Sequence, residues 1–509
     1  MRMTVGYLLE NAANRFADKI ALSYERRDYT YSDLNSRVNR LANFMSERGV
    51  RKGDVVATLM KNSNFQIEVY WSCAKIGAIF APLNCRLQKT ELEHLILHSG
   101  AKTLIFGHEF SGAVEYLNDV CSINLLIQAS GVLHPCSLNY EQILEGSSDT
   151  APGASVSESD ACQLLYTSGT TGKPKGVILS HGNVLWNVMN CLLTRRDSDK
   201  DVLLLVGPLY HAAGLNSHLT PKITVGAKVV VMKEFDSQNM MKLIEQHKVT
   251  VVSAAPSLYH ILFESPDLER YDVSSVVSCS VGASICPTET KEDIVRFFPN
   301  IKGVLDVYGA TEATCNISIL DADDWLSKPQ SVGKGLPFTR IRVVDGTGHD
   351  VSINQVGEII CKGPNIMAGY HRDPEETRRV LRDGWLHTGD LGMLDQDGYL
   401  SIVGRLKDII ISGGENIYPR EVEEVLFAHS KIKEAAVIGV KHLKWGEAVK
   451  AMVVLKTGQK ATEKEIIEYC KQHIASYKAP KLVDFLDEIP KTSSGKIDKK
   501  LLKSLDHLY

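Results

Sequence analysis

Apolar positions along the chain change their spacing repeatedly, and each change marks an element. VGYLLENAANRFA (5–17) and YSDLNSRVNRLANFMSERG (31–49) place apolar groups three to four residues apart, which predicts helices across residues 5–50. The second begins after Thr30, with Ser32 and Asp33 as candidate caps, and stops at Gly49. Then short apolar runs alternate with amphipathic ones. VVATLM (55–60), IFAPLN (79–84), KTLIFG (102–107) and INLLIQA (123–129) read as strands, with a helix over FQIEVYWSCAKIGA (65–78). The alternation resumes with DVLLLVG, AKVVVMKEF, the helix MMKLIEQHK, VTVVSAAP and SSVVSCSVGAS (201–284). Strand and helix in turn predict a mainly parallel sheet flanked by helices.

After about residue 330 the texture is β-branched runs broken by Gly and Asp, as in IRVVDGTGHDVSINQVGEIICKG (341–363) and DQDGYLSIVGR (395–405). It predicts hairpins or a small barrel. Past GRLKD (404–408) a helix REVEEVLFAH, strands AAVIGV and AMVVLK and a helix EKEIIEYCKQHI form a second unit. The expected fold is thus α/β. A large N-terminal domain (1–404) of mainly parallel sheets carries a β-barrel-like subdomain (about 330–404), and a small α+β domain follows (405–509).

Composition narrows the function without naming it. With 509 residues two or more domains are expected, and the net charge of −4 shows no basic stripe for nucleic acid. The eleven cysteines include no C-x-x-C pair, which argues against a zinc ribbon or disulfide framework and for a reducing, cytoplasmic setting. No apolar run approaches the roughly 18 residues of a spanning helix, although peripheral membrane contact stays open.

YTSGTTGKPKG (166–176) fits no periodic element. Glycines leave backbone N–H groups unshielded, and hydroxyls and lysines add donors and charge, so the stretch reads as a phosphate cradle. It is not a Walker A loop: Gly169 and Gly172 are too close, and Pro174 follows Lys173. The dinucleotide fingerprint also fails, since Phe338 stands where GKGLPF needs its third glycine.

The loop resembles the signature of the adenylate-forming enzymes, in the acyl-CoA synthetase branch. PLYHAAG (208–214), YGATEA (308–313), HTGD (387–390), GRLKDIIISGGENIYP (404–419) and PKTSSGKI (490–497) resemble that family's further motifs, in its order and over essentially the whole chain. The resemblance implies ATP, Mg²⁺ and CoA as co-substrates. It implies that a carboxylate attacks the α-phosphate of ATP and that a thiol then displaces AMP. Thr167, Ser168, Gly169, Thr170, Thr171, Gly172, Lys173 and Lys175 would hold the β- and γ-phosphates. Glu312 would be the Mg²⁺ ligand and Thr311 the α-phosphate contact, a hard-cation and phosphate pairing. Asp306, Tyr308, Gly309 and Ala310 would lie along the nucleotide, with Tyr308 stacking on adenine. Asp390 and Arg405 would take the ribose hydroxyls. Lys496 would bridge carboxylate and phosphate during adenylation. Lys407 matches the hinge of a mobile C-terminal domain, and Ser412, Gly413, Gly414 and Glu415 would line the thiol tunnel.

His211 would gate the carboxylate pocket, whose walls would be Ala212, Ala213, Gly214, Gly282, Ala283, Ser284 and Gly309. These small walls favour an acid bulkier than acetate: medium or long fatty, alicyclic or aromatic. PLYHAAGLNSHL (208–219) has no acid to pair with an α-ammonium, which disfavours amino acids. With no carrier-protein segment after Tyr509, CoA is favoured over a ligase that loads a carrier protein, the alternative reading. A nucleotide-binding sensor is a third. Monomer and homodimer both stay open. His94 and His98, four apart, read as a helix face, and Asp395 and Asp397 as a hairpin turn rather than a calcium loop.

Overall fold

The computed structural model describes residues 3–167, 174–491 and 497–505. The expected alternation is observed, and it builds two mainly parallel sheets. An eight-stranded sheet holds Val55–Leu59, Ile79–Pro82, Thr103–Phe106 and Leu125–Gln128 in parallel, with Ala161–Thr167 and Lys175–Ser180 as an antiparallel pair towards one edge. A nine-stranded sheet runs parallel through Ile20–Tyr24, Lys228–Val231, Val202–Leu205, Val251–Ala254, Ser278–Gly282 and Val304–Tyr308.

Helices Val5–Arg15, Tyr31–Glu47 and Asn64–Ile76 share one apolar core with residues of both sheets, including Val56, Phe80, Leu203 and Val229. Separate cores cover the outer faces. Met241, Tyr259 and Ile294 pack on the nine-stranded sheet, and Leu92, Leu95 and Leu117 on the eight-stranded one. The layers therefore run helix, sheet, helix, sheet, helix, the solution expected when parallel sheets must be covered on both faces.

Two expectations at the N-terminus need correcting. Residues 5–50 are not helical throughout: Ile20–Tyr24 and Arg27–Thr30 form a hairpin whose first strand joins the nine-stranded sheet. A five-residue apolar run carries too little periodicity to separate strand from helix. The cap of the second helix is Thr30 itself rather than Ser32. Its hydroxyl accepts from Asp33 N while the Asp33 carboxylate accepts from Thr30 N, a reciprocal capping box.

The β-rich segment forms a five-stranded antiparallel sheet around Arg340–Val344, Gly357–Lys362, Trp385–Leu394 and Leu400–Arg405. Gly369–Tyr370 leaves it and pairs with Lys175–Ser180 of the eight-stranded sheet. Beyond residue 408 a further five-stranded sheet centres on the hairpin Ile432–His442/Gly446–Leu455, with helices Pro419–Phe427 and Glu463–His473. All eleven cysteines are free. Among the described residues no helix is long and apolar enough to cross a membrane.

A buried amide network ties the layers together. Gln163, on the eight-stranded sheet, and Asn216 exchange two hydrogen bonds of 2.8 Å, and Asn216 also donates to Thr314 O at 3.1 Å. Asn365 donates to Ala313 O and Asn316 O at 3.2 and 3.1 Å, and its own carbonyl accepts from Thr314 Oγ1 at 2.6 Å. Gln163, Asn216, Asn316 and Asn365 have no exposed surface, so each lost partner leaves a desolvated group. Gln163→Leu is expected to cost about 1–3 kcal/mol by stranding the Asn216 amide. Asn216→Leu in the same chain recovers part of that loss, read as thermal midpoints of the two variants.

Candidate active site

The C-terminal ends of parallel strands are where an open α/β sheet offers a crevice. Val304–Tyr308 ends there and runs into a single 3₁₀ turn, Thr311–Ala313. Gly309 lies between them, and a Cβ on it would sit 1.6 Å from Cys315 O, so no other residue fits. Tyr308 thus ends the strand, and Thr311 and Glu312 lie in the turn just beyond it.

Tyr308 donates its hydroxyl to Asp390 Oδ2 at 2.8 Å, and Arg405 Nε donates to Asp390 Oδ1 at 2.8 Å. Asp390 and Arg405 are direct cross-strand partners on Trp385–Leu394 and Leu400–Arg405. HTGD lies within the strand Trp385–Leu394, where Gly389 sits at φ 69° and Thr388 Oγ1 accepts from Asp390 N at 3.0 Å. Burial and the Asp390 charge push the Tyr308 phenol well above its ordinary range, so it stays a donor.

The second cluster surrounds Glu312. Tyr370 donates its hydroxyl to Glu312 Oε1 at 2.8 Å, and Glu312 O accepts from Met367 N at 2.8 Å. The Lys175 ammonium lies 5.2 Å over the Tyr370 ring and ion-pairs with Glu376. The Arg379 hydrogen bonds, aided by Lys175, outweigh burial and hold the Glu376 carboxyl down to about 2. Lys175 stands opposite Thr167 across the hairpin, so the residues that flank 168–174 are paired close to the Tyr370–Glu312 contact. Ser168, Gly169, Thr170, Thr171, Gly172 and Lys173 lie outside the described residues, as does Lys496.

Other sequence candidates separate. Asp306 does not join the Tyr308–Asp390–Arg405 group through its side chain: it forms a buried ion pair with Lys291 at 2.7 Å. Gly282 ends its strand beside Val307, Ala283 takes a left-handed φ of 67°, and Ser284 is exposed. Ala310 precedes the 3₁₀ turn as its cap. His211 is half-buried, its ring 4.6 Å from Tyr210. Ala212 follows, and Ala213 and Gly214 open a π-helical segment, Ala213–Leu219. Gly214 is small for packing reasons, because a Cβ would meet Pro208 O at 2.7 Å.

Lys407 is exposed in the 3₁₀ turn Leu406–Asp408. Ser412 and Glu415 pair across a two-residue turn whose glycines, Gly413 and Gly414, have φ of 62° and 88°. That turn needs glycine whatever passes over it. His98 hydrogen-bonds Tyr166 through Nδ1 at 2.9 Å and packs on His371, so it belongs to a ring cluster rather than a free helix face. Asp395 and Asp397 close a hairpin turn and share Lys328.

Sequence motifs did not disclose Tyr370, Glu376 or the amide network, whose contacts join residues far apart in the chain. A further group is the row His218, Ser253, Ser280. His218 Nε2 lies 2.8 Å from Ser253 Oγ, and Ser280 Oγ donates to Ser253 Oγ at 2.8 Å.

Alternating burial exposes one more feature. Val252, Ala254, Cys279, Val281 and Val304 pack into the outer core, yet on the other face Ser253, Gly282, Leu305 and Val307 keep partial exposure. Central strands covered on both faces should be buried on both, so this strip borders a solvent-reachable cleft.

Residues 9–371 match the AMP-binding enzyme family, and residues 421–496 match the AMP-binding enzyme C-terminal domain. Feruloyl-CoA synthase of Amycolatopsis sp is 38% identical over 92% of this chain and 92% of its own. Indoleacetate–CoA ligase of Aromatoleum aromaticum is 36% identical over 96% and 95%. Among solved structures, the anthranilate CoA ligase AuaEII in complex with anthranoyl-AMP superposes with a TM-score of 0.94 at 26% identity, covering 100% of this chain and 98% of that one. ATP-bound MatB from Rhodopseudomonas palustris gives 0.90 at 29% identity, covering 99% of each. The chain belongs to the AMP-binding enzymes, the adenylate-forming superfamily. Within it, the chain is an AMP-forming acid–CoA ligase that uses ATP, Mg²⁺ and CoA.

Tyr370→Phe removes the hydroxyl that orients Glu312 and leaves the ring under Lys175. We expect a several-fold rise in the Mg²⁺ concentration that half-saturates adenylation, with little change in thermal midpoint. An unchanged Mg²⁺ dependence would separate Tyr370 from Glu312 function.

Proposed function

We propose that the acid activated here is aromatic or aryl-alkanoic. The observation that carries this reading is the partly exposed strip formed by Ser253, Gly282, Leu305 and Val307. A cleft floored by Leu305 and Val307 suits a flat apolar body far larger than acetate. Relatives whose names specify feruloyl, indoleacetate and anthranilate support it. A relative named long-chain-fatty-acid–CoA ligase, 34% identical, keeps an aliphatic acid as the competing outcome.

The chemistry must first bring two anions together. A carboxylate oxygen attacks the α-phosphorus of ATP, the bond to pyrophosphate breaks, and a mixed anhydride results. In this reading Thr167, Lys175 and the loop between them grip the outer phosphates, and Thr311 contacts the α-phosphate. Glu312, a partly exposed carboxylate already oriented by Tyr370, fits a hard cation. Bound there, Mg²⁺ supplies neutralising charge for the triphosphate. Tyr308 stacks on adenine, its ring held by the bond to Asp390, and Asp390 with Arg405 receives the ribose hydroxyls. Lys496 bridges carboxylate and phosphate electrostatically.

In the second half-reaction the CoA thiol, losing its proton, attacks the carbonyl and AMP leaves. Both steps use one carbonyl, so the parts around it must exchange. The proposed division is 1–404 and 405–509, hinged near Lys407, with His211 shifting at the carboxylate and residues 412–415 entering as the thiol passage.

A carboxylate panel from acetate to palmitate, with benzoate, cyclohexanecarboxylate and 4-hydroxycinnamate, tests the substrate class through CoA-dependent AMP release. Aryl acids are expected to give the highest kcat/KM, and a maximum on an unbranched fatty acid would overturn the reading. Lys496→Ala should lower adenylation by about 100-fold or more while leaving thioester formation from preformed acyl-AMP largely intact; equal losses contradict the bridging role. Lys407→Pro, by fixing φ, should show the opposite bias, damaging the second half-reaction more than the first.

A further inference from the structure

The row His218, Ser253, Ser280 has no part in either half-reaction, yet it stands on the strip that floors the cleft. Ser253 and Ser280 are register partners on adjacent parallel strands, and Leu305 is the next partner beyond Ser280. Gly282, at the crevice, is two positions further along the same strand. The row therefore lies about 7 Å deeper than Gly282, away from the carbonyl chemistry.

Its polarity can be followed donor by donor. Ser280 donates to Ser253 Oγ, so the Ser253 hydrogen is free to point at His218 Nε2. A neutral imidazole that accepts at Nε2 carries its proton on Nδ1. Burial, with Arg195 and Lys222 nearby outweighing Asp197, lowers the His218 pKa to about 3, which keeps the ring neutral at physiological pH. His218 itself is only partly buried. The result is an uncharged imidazole beside the partly exposed strip, which presents Nδ1–H when Ser253 donates to Nε2.

We propose that His218, oriented by Ser253 and Ser280, is a specificity-determining residue that hydrogen-bonds a neutral oxygen substituent, such as a phenolic hydroxyl, on the ring end of the acid remote from its carboxylate. This rests on the aryl-acid reading and narrows it. A purely alkyl acid gives Nδ1–H nothing to meet, and a desolvated donor without a partner penalises that acid.

The test compares kcat/KM for 4-hydroxycinnamate and cinnamate, measured as acyl-CoA formation by the full chain with ATP, Mg²⁺ and CoA. Wild type is expected to favour the hydroxylated acid by about 10-fold or more. His218→Leu should bring that ratio close to unity whatever happens to the absolute rates, and His218→Gln, which keeps a donor, should preserve part of it. Ser253→Ala removes the partner that sets the tautomer and should also reduce the ratio, so the test stands if the leucine variant fails to fold. An undiminished ratio in His218→Leu or Ser253→Ala, or no preference in wild type among aryl acids it turns over, overturns the assignment. Turnover confined to unbranched fatty acids is a different result: the aryl-acid reading itself fails, and this inference with it.

Discussion

A buried amide that loses a partner is costly, and that constraint organises the centre of this enzyme. Gln163 belongs to one sheet, Asn216 to the π-helical segment beside the other, Thr314 to the turn behind Glu312, and Asn365 to the loop before Gly369–Tyr370. Each group has surrendered water, so the elements that carry them must meet in one arrangement. The π-helical segment and the turn that carries Glu312 are thereby held in a fixed relation, although they come from segments about a hundred residues apart.

Around that frame the charges are placed where the chemistry needs them. Lys175 rests between the Tyr370 ring and Glu376, close to Glu312, so cation and carboxylate share a neighbourhood without neutralising each other directly. Asp390 has both oxygens occupied, by Tyr308 and Arg405, which fixes its orientation. Preorganisation of this kind lowers the reorganisation required at the moment of reaction. The cleft beneath differs in character: a row of small and apolar side chains with one neutral polar relay.

Much of this was legible along the chain. The alternation of apolar runs with amphipathic helices announced α/β architecture, and the switch to β-branched hairpins after residue 330 marked the antiparallel sheet. Motif residues cluster by sequence, so Tyr308, Thr311, Glu312, Asp390 and Arg405 could be named from their resemblance to family motifs. The structure draws Tyr308, Asp390 and Arg405 into one bonded group. The short hairpin at Ile20–Thr30 was not legible, because four or five residues hold too little periodicity.

The sequence alone determined local matters: which runs bury one face, where Gly309, Gly413 and Gly414 permit turns, and which polar residues gather in motifs. Those follow from side-chain chemistry and backbone sterics within a few residues. Tertiary structure alone decided that Asp306 pairs with Lys291, that Tyr370 supports Glu312, how the strands divide between the two parallel sheets, and that His218 meets Ser253. Each of these is a contact between strands and turns brought together by packing, and the physical reason is the same throughout. Burial and hydrogen-bond satisfaction are settled by neighbours in space, and a linear pattern records only neighbours in the chain.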